Sequence, residues 1–517
     1  MQTFESPSFP SHFLNLGRVL HEASLKNPDG IALVCGEEQL SFAGLDQSTD
    51  ALAHWLLGTG LEPGDRVAIH WSNSLEVVQL YFACFKAGLI AVPLNNRLKA
   101  PEIAYILTHS RAKICFSQPT LVNLCEEIRG ECTDLQILTS VLPKLDLRES
   151  RCLALPEITP DQVAAIMYTS GTTARPKGVM HTHISLIGAT EMMCSLGIPE
   201  ASSLLAVSQL MHIAALACVL LPGISRGSTV VLLPAFDAAQ LLDLIERWRC
   251  SYFFILPAML QFVVEEQVSD PRDVSSMRLC LAGGDTVPVT LQKRFRRLFG
   301  IPIRELYGMT ETVPVTCNRE DFLREGSVGP ALDIVETRIA GLSGGVVADG
   351  HVGELQVQSP ANCVGYWDDP EATAATFDGG WLRTGDLVRR DRDRFYWFAG
   401  RVKQIIIRGG SNISPQEVEE ALYRHPAVLE AGVIGLPDPS HGEKVIAFVA
   451  LREGLTLQES ELRDFVRDWI ADYKTPERIM FVPVLPKGLT GKVQRRDLKN
   501  LFLTLSESRE LAETSSV

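Results

Sequence analysis

Val163-Ala-Ala-Ile-Met-Tyr168 runs straight into Thr169-Ser-Gly-Thr-Thr-Ala-Arg-Pro-Lys-Gly178, and the reading of this stretch decides the rest. The first six residues form an apolar run that ends on an aromatic, the pattern of a buried strand. The next residues are mostly small and polar: the hydroxyls of Thr169, Ser170, Thr172 and Thr173, the unhindered backbone of Gly171, and the ammonium of Lys177. Glycine lets the main chain come close to phosphate oxygens, and hydroxyls, backbone N–H groups and a lysine supply donors. The spacing differs from the G-x-x-x-x-G-K-[ST] loop of P-loop NTPases, because Gly178 follows Lys177 and no helix-opening Ser or Thr comes next. The stretch is a candidate phosphate cradle of another kind, although a Ser/Thr/Gly string by itself more often marks a plain turn.

Outward from the loop, short apolar runs alternate with amphipathic stretches. Asp65–His70, Ile90–Pro93, Ala112–Phe116 and Val230–Leu233 read as strands, and Leu75–Ala87 reads as the helix after the first of them. This rhythm predicts α/β sheets with crossover helices. After about residue 330 the elements become short strands (Val335–Ile339, Gly353–Val357, Phe395–Phe398) between Gly, Asp and Pro, which predicts a small β-rich, barrel-like unit over about 330–400. Beyond Gly400-Arg401 come a strand at Gln404–Arg408, a helix at Pro415–His425, strands at Glu430–Gly435 and Lys444–Leu451, and a helix at Glu459–Tyr473. In Ser414-Pro-Gln-Glu417, Ser414 is the expected N-cap, with Pro415 at N1 and Glu417 at N3. The fold expected is therefore α/β multidomain. A large N-terminal domain (1–400) carries the α/β sheets and the β-rich unit, and a small mobile α+β domain (401–517) follows a hinge near 401–403. The polar tail Ser506–Val517 is expected to fray.

The bulk numbers narrow the class. The chain has 517 residues, enough for several domains, with 46% hydrophobic and 21% charged residues, as a packed protein requires. A net charge of −14 argues against a nucleic-acid or anionic-membrane partner, but not against a local phosphate site. MQTFESPSFPSHF has neither a basic start nor an apolar core, and the longest apolar stretch, His212–Ile224, contains a proline and is too short to span a bilayer. The 12 cysteines are scattered singly, which reads as free thiols and points to a cytoplasmic location.

The whole eleven-residue string Tyr168–Gly178 resembles the signature loop of the adenylate-forming superfamily, which includes acyl-CoA synthetases, peptide-synthetase adenylation domains and beetle luciferases. Ala174 stands where that family usually has Gly. Four further strings come after it in the family's order. Glu305-Leu-Tyr-Gly-Met-Thr-Glu311 resembles the block in which Tyr307 lies against adenine, Thr310 contacts the α-phosphate and Glu311 holds Mg²⁺. Trp381-Leu-Arg-Thr-Gly-Asp386 resembles the block whose aspartate, here Asp386, accepts the ribose hydroxyls. Gly400-Arg-Val-Lys-Gln404 through Glu419 resembles the domain joint. The resemblance puts Arg401 on ribose or phosphate, Lys403 at the hinge, and Gly409 and Gly410 beside the pantetheine tunnel. Gln404 stands where the family often has Asp, which puts an ion pair there in doubt. Leu485-Pro-Lys-Gly-Leu-Thr-Gly-Lys492 resembles the block bearing the adenylation lysine, with Lys492 rather than Lys487 in the matching place.

The resemblance implies an acyl-CoA synthetase that uses ATP, Mg²⁺ and CoA. A carboxylate attacks the α-phosphorus, pyrophosphate leaves, and a thiol then takes the acyl group from the adenylate. Lys492, Lys177 and Thr310 would stabilise the charge that develops. His212 in Ser208-Gln-Leu-Met-His-Ile-Ala-Ala215 matches the family's gating histidine, and Leu281-Ala-Gly-Gly-Asp285, with Gly284, matches the opposite wall of the acid pocket. No acidic residue lies between Ser208 and Gly227, which disfavours an amino-acid substrate, and Ala214 and the glycines favour a fatty or other apolar or aryl acid. A free-standing enzyme that loads a separate acyl carrier protein, a non-catalytic nucleotide-binding protein and a luciferase-like oxygenase share the same motifs. Oligomeric state is not legible.

Overall fold

Alternation of apolar runs with helices builds two mostly parallel sheets in the larger part of the chain. The computed structural model describes residues 15–144, 154–169, 175–285, 287–341, 344–408, 411–438, 440–487 and 493–514, with side chains through residue 504. Ser170, Gly171, Thr172, Thr173, Gly409, Gly410 and Lys492 lie outside the described residues.

The eight-stranded sheet runs in the order Thr312–Cys317, Ile303–Met309, Leu279–Gly283, Cys250–Ile255, Ser203–Ala206, Thr229–Leu232, Ile31–Cys35, Glu38–Ser41. Its two edge pairings are antiparallel and the inner ones parallel. The seven-stranded sheet runs Gly365–Tyr366, Lys177–Thr182, Val163–Thr169, Ile90–Pro93, Arg66–His70, Ile114–Ser117, Ile137–Thr139. Strands covered on both faces read as near-continuous apolar runs, as Cys250–Ile255 does, with every residue buried and only Ser251 polar. Phe253, Phe295 and Leu260 are fully buried in its core, and each such side chain stabilises by about 1.5–3 kcal/mol. The expected helix Leu75–Ala87 forms as read. Ser74 caps its first turn by accepting from Val77, and Gly88 ends it at φ 69°, where a side chain would be strained.

The β-rich stretch forms a five-stranded sheet, Glu336–Ala340, Val352–Gln358, Trp381–Arg390, Phe377–Asp378, with Tyr396–Arg401 also on Trp381–Arg390. Its path does not close among the described residues. A further five-stranded sheet, Ser411–Ile413, Ile406–Arg408, Gly442–Leu451, Val428–Asp438, with Arg478–Phe481 parallel to Gly442–Leu451, packs on the helices Pro415–Tyr423 and Glu459–Arg467. By contacts the chain falls into two units, one of residues 1–337 and 357–383, the other of 338–356 and 384–517.

Four local expectations change. The helix from Glu459 stops at Arg467, and Asp472–Lys474 is a separate 3₁₀ turn. The expected strand from Gln404 starts at Ile406, because Val402–Gln404 is a 3₁₀ turn. Ser414 does cap Pro415–Tyr423, but its hydroxyl donates to the Ala399 carbonyl instead of accepting from the helix. Among the described residues the polar tail continues a helix, Arg495–Thr514. The described cysteines are all free, and all but Cys35 are buried. Among the described residues no helix is long and apolar enough to cross a membrane.

Candidate active site

The cradle is a β-hairpin. Thr169 and Lys177 face each other as the last register pair of the antiparallel strands Val163–Thr169 and Lys177–Thr182. A strand, not a helix, therefore succeeds the loop, which explains the departure from P-loop spacing. The far root of the hairpin is fixed from outside. The Tyr105 hydroxyl donates to the Pro176 carbonyl at 3.2 Å, and the Arg175 guanidinium lies over the Tyr105 ring at 5.5 Å. His109 stacks on Tyr105 and bonds the Tyr168 hydroxyl at 2.8 Å.

Strand alternation places Lys177, Val179 and His181 on one face. The Lys177 ammonium lies 4.9 Å from the centre of the Tyr366 ring and 3.8 Å from Asp369. His181 is fully buried, and burial pushes its pKa down to about 4, so it is neutral at pH 7. Its Nε2 sits 2.7 Å from the Thr310 carbonyl oxygen, which can only accept, so Nε2 carries the proton.

Thr310 and Glu311 are the two-residue connection between the paired strands Ile303–Met309 and Thr312–Cys317. Glu311 is 8% exposed. Its carboxylate accepts from the Tyr366 hydroxyl at 2.8 Å, and its carbonyl accepts from Cys363 N–H at 2.8 Å. Burial first, and then the Glu311 charge, push the Tyr366 phenol up, so it stays a donor at neutral pH. The structure thus gathers Lys177, Thr310 and Glu311 around two residues that the sequence reading missed, His181 and Tyr366. The visible signal was His181 at i+4 from Lys177 along one strand face. Gly365-Tyr366-Trp-Asp-Asp-Pro370 carries no spacing that points to a site.

The residues present fit magnesium. Among the described residues no group of three or more His, Cys, Asp or Glu could hold a metal by itself. A single held carboxylate beside a phosphate cradle is how Mg²⁺ is commonly bound, with nucleotide oxygens and water completing its shell. The neighbouring Thr312 hydroxyl, buried and without a hydrogen-bond partner among the described residues, leaves a polar group that a ligand or water would satisfy.

Tyr307, 8% exposed, precedes this turn on the same strand. Glu305, expected from the same string to contact the nucleotide, also has a structural task. It is 3% exposed, and its carboxyl accepts from Gln292 Nε2 at 2.8 Å and Val287 N–H at 3.3 Å, so it holds the segment after Gly284. Gly284 adopts φ 84°, and an added Cβ would meet Leu256 at 3.0 Å.

His212 is at the head of the apolar helical stretch that begins at Ile213 and passes through a π turn at Leu216–Leu220. Such turns are frequent at functional sites. Burial and the Arg97 charge lower the His212 pKa, so its imidazole is neutral. Asn73 organises this segment: its amide donates to the carbonyls of Ser208 (3.0 Å) and Leu233 (3.1 Å) and accepts from Leu210 N–H (2.8 Å). The Tyr81 hydroxyl donates to the Leu210 carbonyl at 2.7 Å.

In the other unit, Asp386 and Arg401 are register partners across paired strands, with Arg401 Nε 2.9 Å from the 3%-exposed Asp386. Gly385 supplies a φ of 68° beside Asp386. Lys403 lies in the 3₁₀ turn after Arg401. Where an ion pair was in doubt, Gln404 accepts a 3.1 Å hydrogen bond from Arg495, whose other nitrogen clamps Glu419 at 2.7 and 2.8 Å. Lys487 is paired with Glu430.

Comparison with known proteins gives the family. Residues 20–367 match the family described as AMP-binding enzyme, and residues 417–492 match its C-terminal domain. The chain is 34% identical to a feruloyl-CoA synthase from an Amycolatopsis species, over 92% of this chain and 96% of that one. It is 32% identical to a long-chain-fatty-acid–CoA ligase of Bacillus subtilis (strain 168), over 93% and 94%. Among solved structures, the anthranilate CoA ligase AuaEII in complex with anthranoyl-AMP matches with a TM-score of 0.87 at 29% identity, covering 95% of this chain and 97% of that one. ATP-bound MatB from Rhodopseudomonas palustris matches with a TM-score of 0.86 at 28% identity, covering 95% and 99%.

Proposed function

The chain belongs to the AMP-binding enzymes and is an AMP-forming acid–thiol ligase with acyl- or aryl-CoA ligase activity; we propose that its acid is a fatty or other apolar or aryl carboxylic acid, transferred to CoA in a cytoplasmic compartment. The cluster of Lys177, Thr310 and Glu311 around Tyr366 and His181 carries the first half of this reading. Lys177, Thr169 and the loop residues Ser170, Gly171, Thr172 and Thr173 cradle the departing phosphates. Thr310 donates to the α-phosphate, and Tyr307 faces adenine. Glu311 would hold Mg²⁺, which when bound would supply positive charge to the phosphoryl oxygens. Asp386 and Arg401 take the ribose side, and Lys492 reaches the reacting oxygens. The pairing of Lys487 with Glu430 supports giving that role to Lys492.

In the second half the thiolate of CoA attacks the mixed anhydride and AMP leaves. The C-terminal domain rotates about Lys403 between the halves and brings Gly409 and Gly410 to the pantetheine arm. The segment without acidic residues from Ser208 to Gly227, the neutral His212 and the bare backbone at Gly284 support an apolar acid pocket. Relatives that act on feruloyl and long-chain fatty acyl groups support it as well. Buried free thiols support a reducing compartment.

The test is pyrophosphate release and thioester formation over aliphatic and aryl acids of graded length, with CoA or a holo-carrier protein as acceptor. Acid-dependent release and a CoA thioester are expected for at least one apolar acid. A thioester on the carrier alone, or release with amino acids alone, overturns the reading.

A further inference from the structure

We propose that Tyr366 is a positioning residue that sets the phosphate lysine and the metal carboxylate against one another, holding Glu311 by its hydroxyl and Lys177 by its ring. The proposal rests on the reading of Glu311 as the Mg²⁺ ligand. Tyr366 touches both groups: its hydroxyl lies 2.8 Å from Glu311 Oε1, and its ring centre lies 4.9 Å from the Lys177 nitrogen. A phenolic donor fixes one lone-pair direction of Oε1 and so orients the carboxylate toward a cation, as groups behind a metal ligand do. An aromatic face attracts an ammonium, and here it shares the Lys177 ammonium with the Asp369 carboxylate 3.8 Å away. One side chain therefore keeps the two opposite charges near each other while each remains directed at a different partner.

The backbone gives Tyr366 little freedom, as this role requires. Gly365–Tyr366 pairs antiparallel with the strand that carries Lys177, Tyr366 opposite Val179 and Gly365 opposite Met180. The flanking N–H groups of Val364 and Trp367 donate to Met180 (3.0 Å) and Gly178 (2.7 Å). Tyr366 N–H donates to Thr373 Oγ1 at 2.9 Å. Gly365 sits at φ 138°, and a Cβ there would lie 2.6 Å from Thr373 Cγ2, so the approach that presents the ring needs glycine. Just before Gly365 on this segment, the Cys363 N–H to Glu311 carbonyl bond fixes the other end of Glu311.

The experiment measures ATP binding by calorimetry without a carboxylic acid, with and without Mg²⁺, for the wild type, Tyr366→Phe, Tyr366→Leu and Glu311→Gln. Melting curves confirm that each variant folds. Tyr366→Phe keeps the ring and loses the hydroxyl. It is expected to raise the Mg²⁺ concentration for half-maximal tightening by about five- to twentyfold, with Mg²⁺-free ATP affinity within about twofold of wild type. Tyr366→Leu also loses the ring face and is expected to weaken Mg²⁺-free ATP binding by about five- to tenfold, a range consistent with about 1 kcal/mol for one cation–aromatic contact. If Glu311→Gln shifts the Mg²⁺ dependence and Tyr366→Phe does not, the role given to Tyr366 is overturned and the metal reading stands. If Glu311→Gln leaves the Mg²⁺ dependence unchanged, the reading beneath the proposal falls, and the proposal with it.

Discussion

Glu305 and His181 are both buried, yet burial acts on them with opposite sign. A buried carboxyl loses more when charged than when neutral, so Glu305 is pushed up to about 7 despite its bonds from Val287 and Gln292. Between about pH 4.5 and 7 the folded chain keeps a proton on Glu305 that the unfolded chain has released. Its contribution to stability therefore falls as pH rises through that window. His181, pushed down to about 4, lacks between about pH 4 and 6.5 a proton that the unfolded chain holds, so its contribution falls as pH drops. Glu305→Gln removes the first dependence and keeps an acceptor. Relative to wild type it should gain about 2–3 kcal/mol between pH 5 and pH 8, at about 1.4 kcal/mol per pKa unit. His181→Asn should flatten the acid limb between pH 6.5 and 4. Chemical denaturation at a series of pH values checks both; a Glu305→Gln variant whose offset from wild type is the same at pH 5 and 8 would contradict the burial argument.

At the scale of elements, the site depends on where strands end and what ties those ends together. Asn73 follows the strand Arg66–His70 of one sheet, while Ser208 and Leu233 follow Ser203–Ala206 and Thr229–Leu232 of the other. Ligands of parallel α/β sheets gather at such carboxyl ends. Asn73 is 1% exposed, so removing its amide orphans two carbonyls and one N–H that water cannot reach. Asn73→Ala is predicted to cost about 3 kcal/mol or more, at roughly 1–3 kcal/mol for each of the three orphaned groups. Because His212 follows Leu210 by two residues, the KM for the acid should rise by about tenfold while the KM for ATP changes less. Steady-state kinetics with each substrate varied would show this, and an equal rise in both would mean that Asn73 supports only the fold. Tyr366 and His181 act on the Thr310–Glu311 turn in the same manner, through hydrogen bonds made far from them in sequence.

For the whole molecule, what was legible depended on how far apart in the chain the partners lie. The helix Leu75–Ala87 and the strands around it could be read because periodicity and caps are local. The five ordered strings could be read because each carries its chemistry within a few residues. Tyr366 on Glu311, Gln404 on Arg495 and Asn73 on Ser208 could not, since each pair joins positions 55 to 135 residues apart with no motif to mark them. Helix Glu459–Arg467 was read too long because Trp469 and Tyr473 continue an apolar pattern past Asp468, where the helix ends. The division of labour between the two halves of the reaction obeys the same long-range logic. The loop at Thr169–Lys177 belongs to one unit and position 492 to the other, and the proposed rotation about Lys403 would let each serve a different step. If Lys492 neutralises the oxygens of the adenylation transition state, Lys492→Ala should lower acid-dependent pyrophosphate release by about a thousandfold or more, corresponding to roughly 4 kcal/mol of lost transition-state stabilisation. Thioester formation from supplied acyl-adenylate and CoA should stay within a fewfold of wild type, because that step needs the carbonyl rather than the phosphate oxygens activated. Rates for the two half-reactions, measured separately, decide this. An equal loss in both would place Lys492 in the fold or in a shared step, and would remove the reason for assigning the two half-reactions to two arrangements of the C-terminal unit.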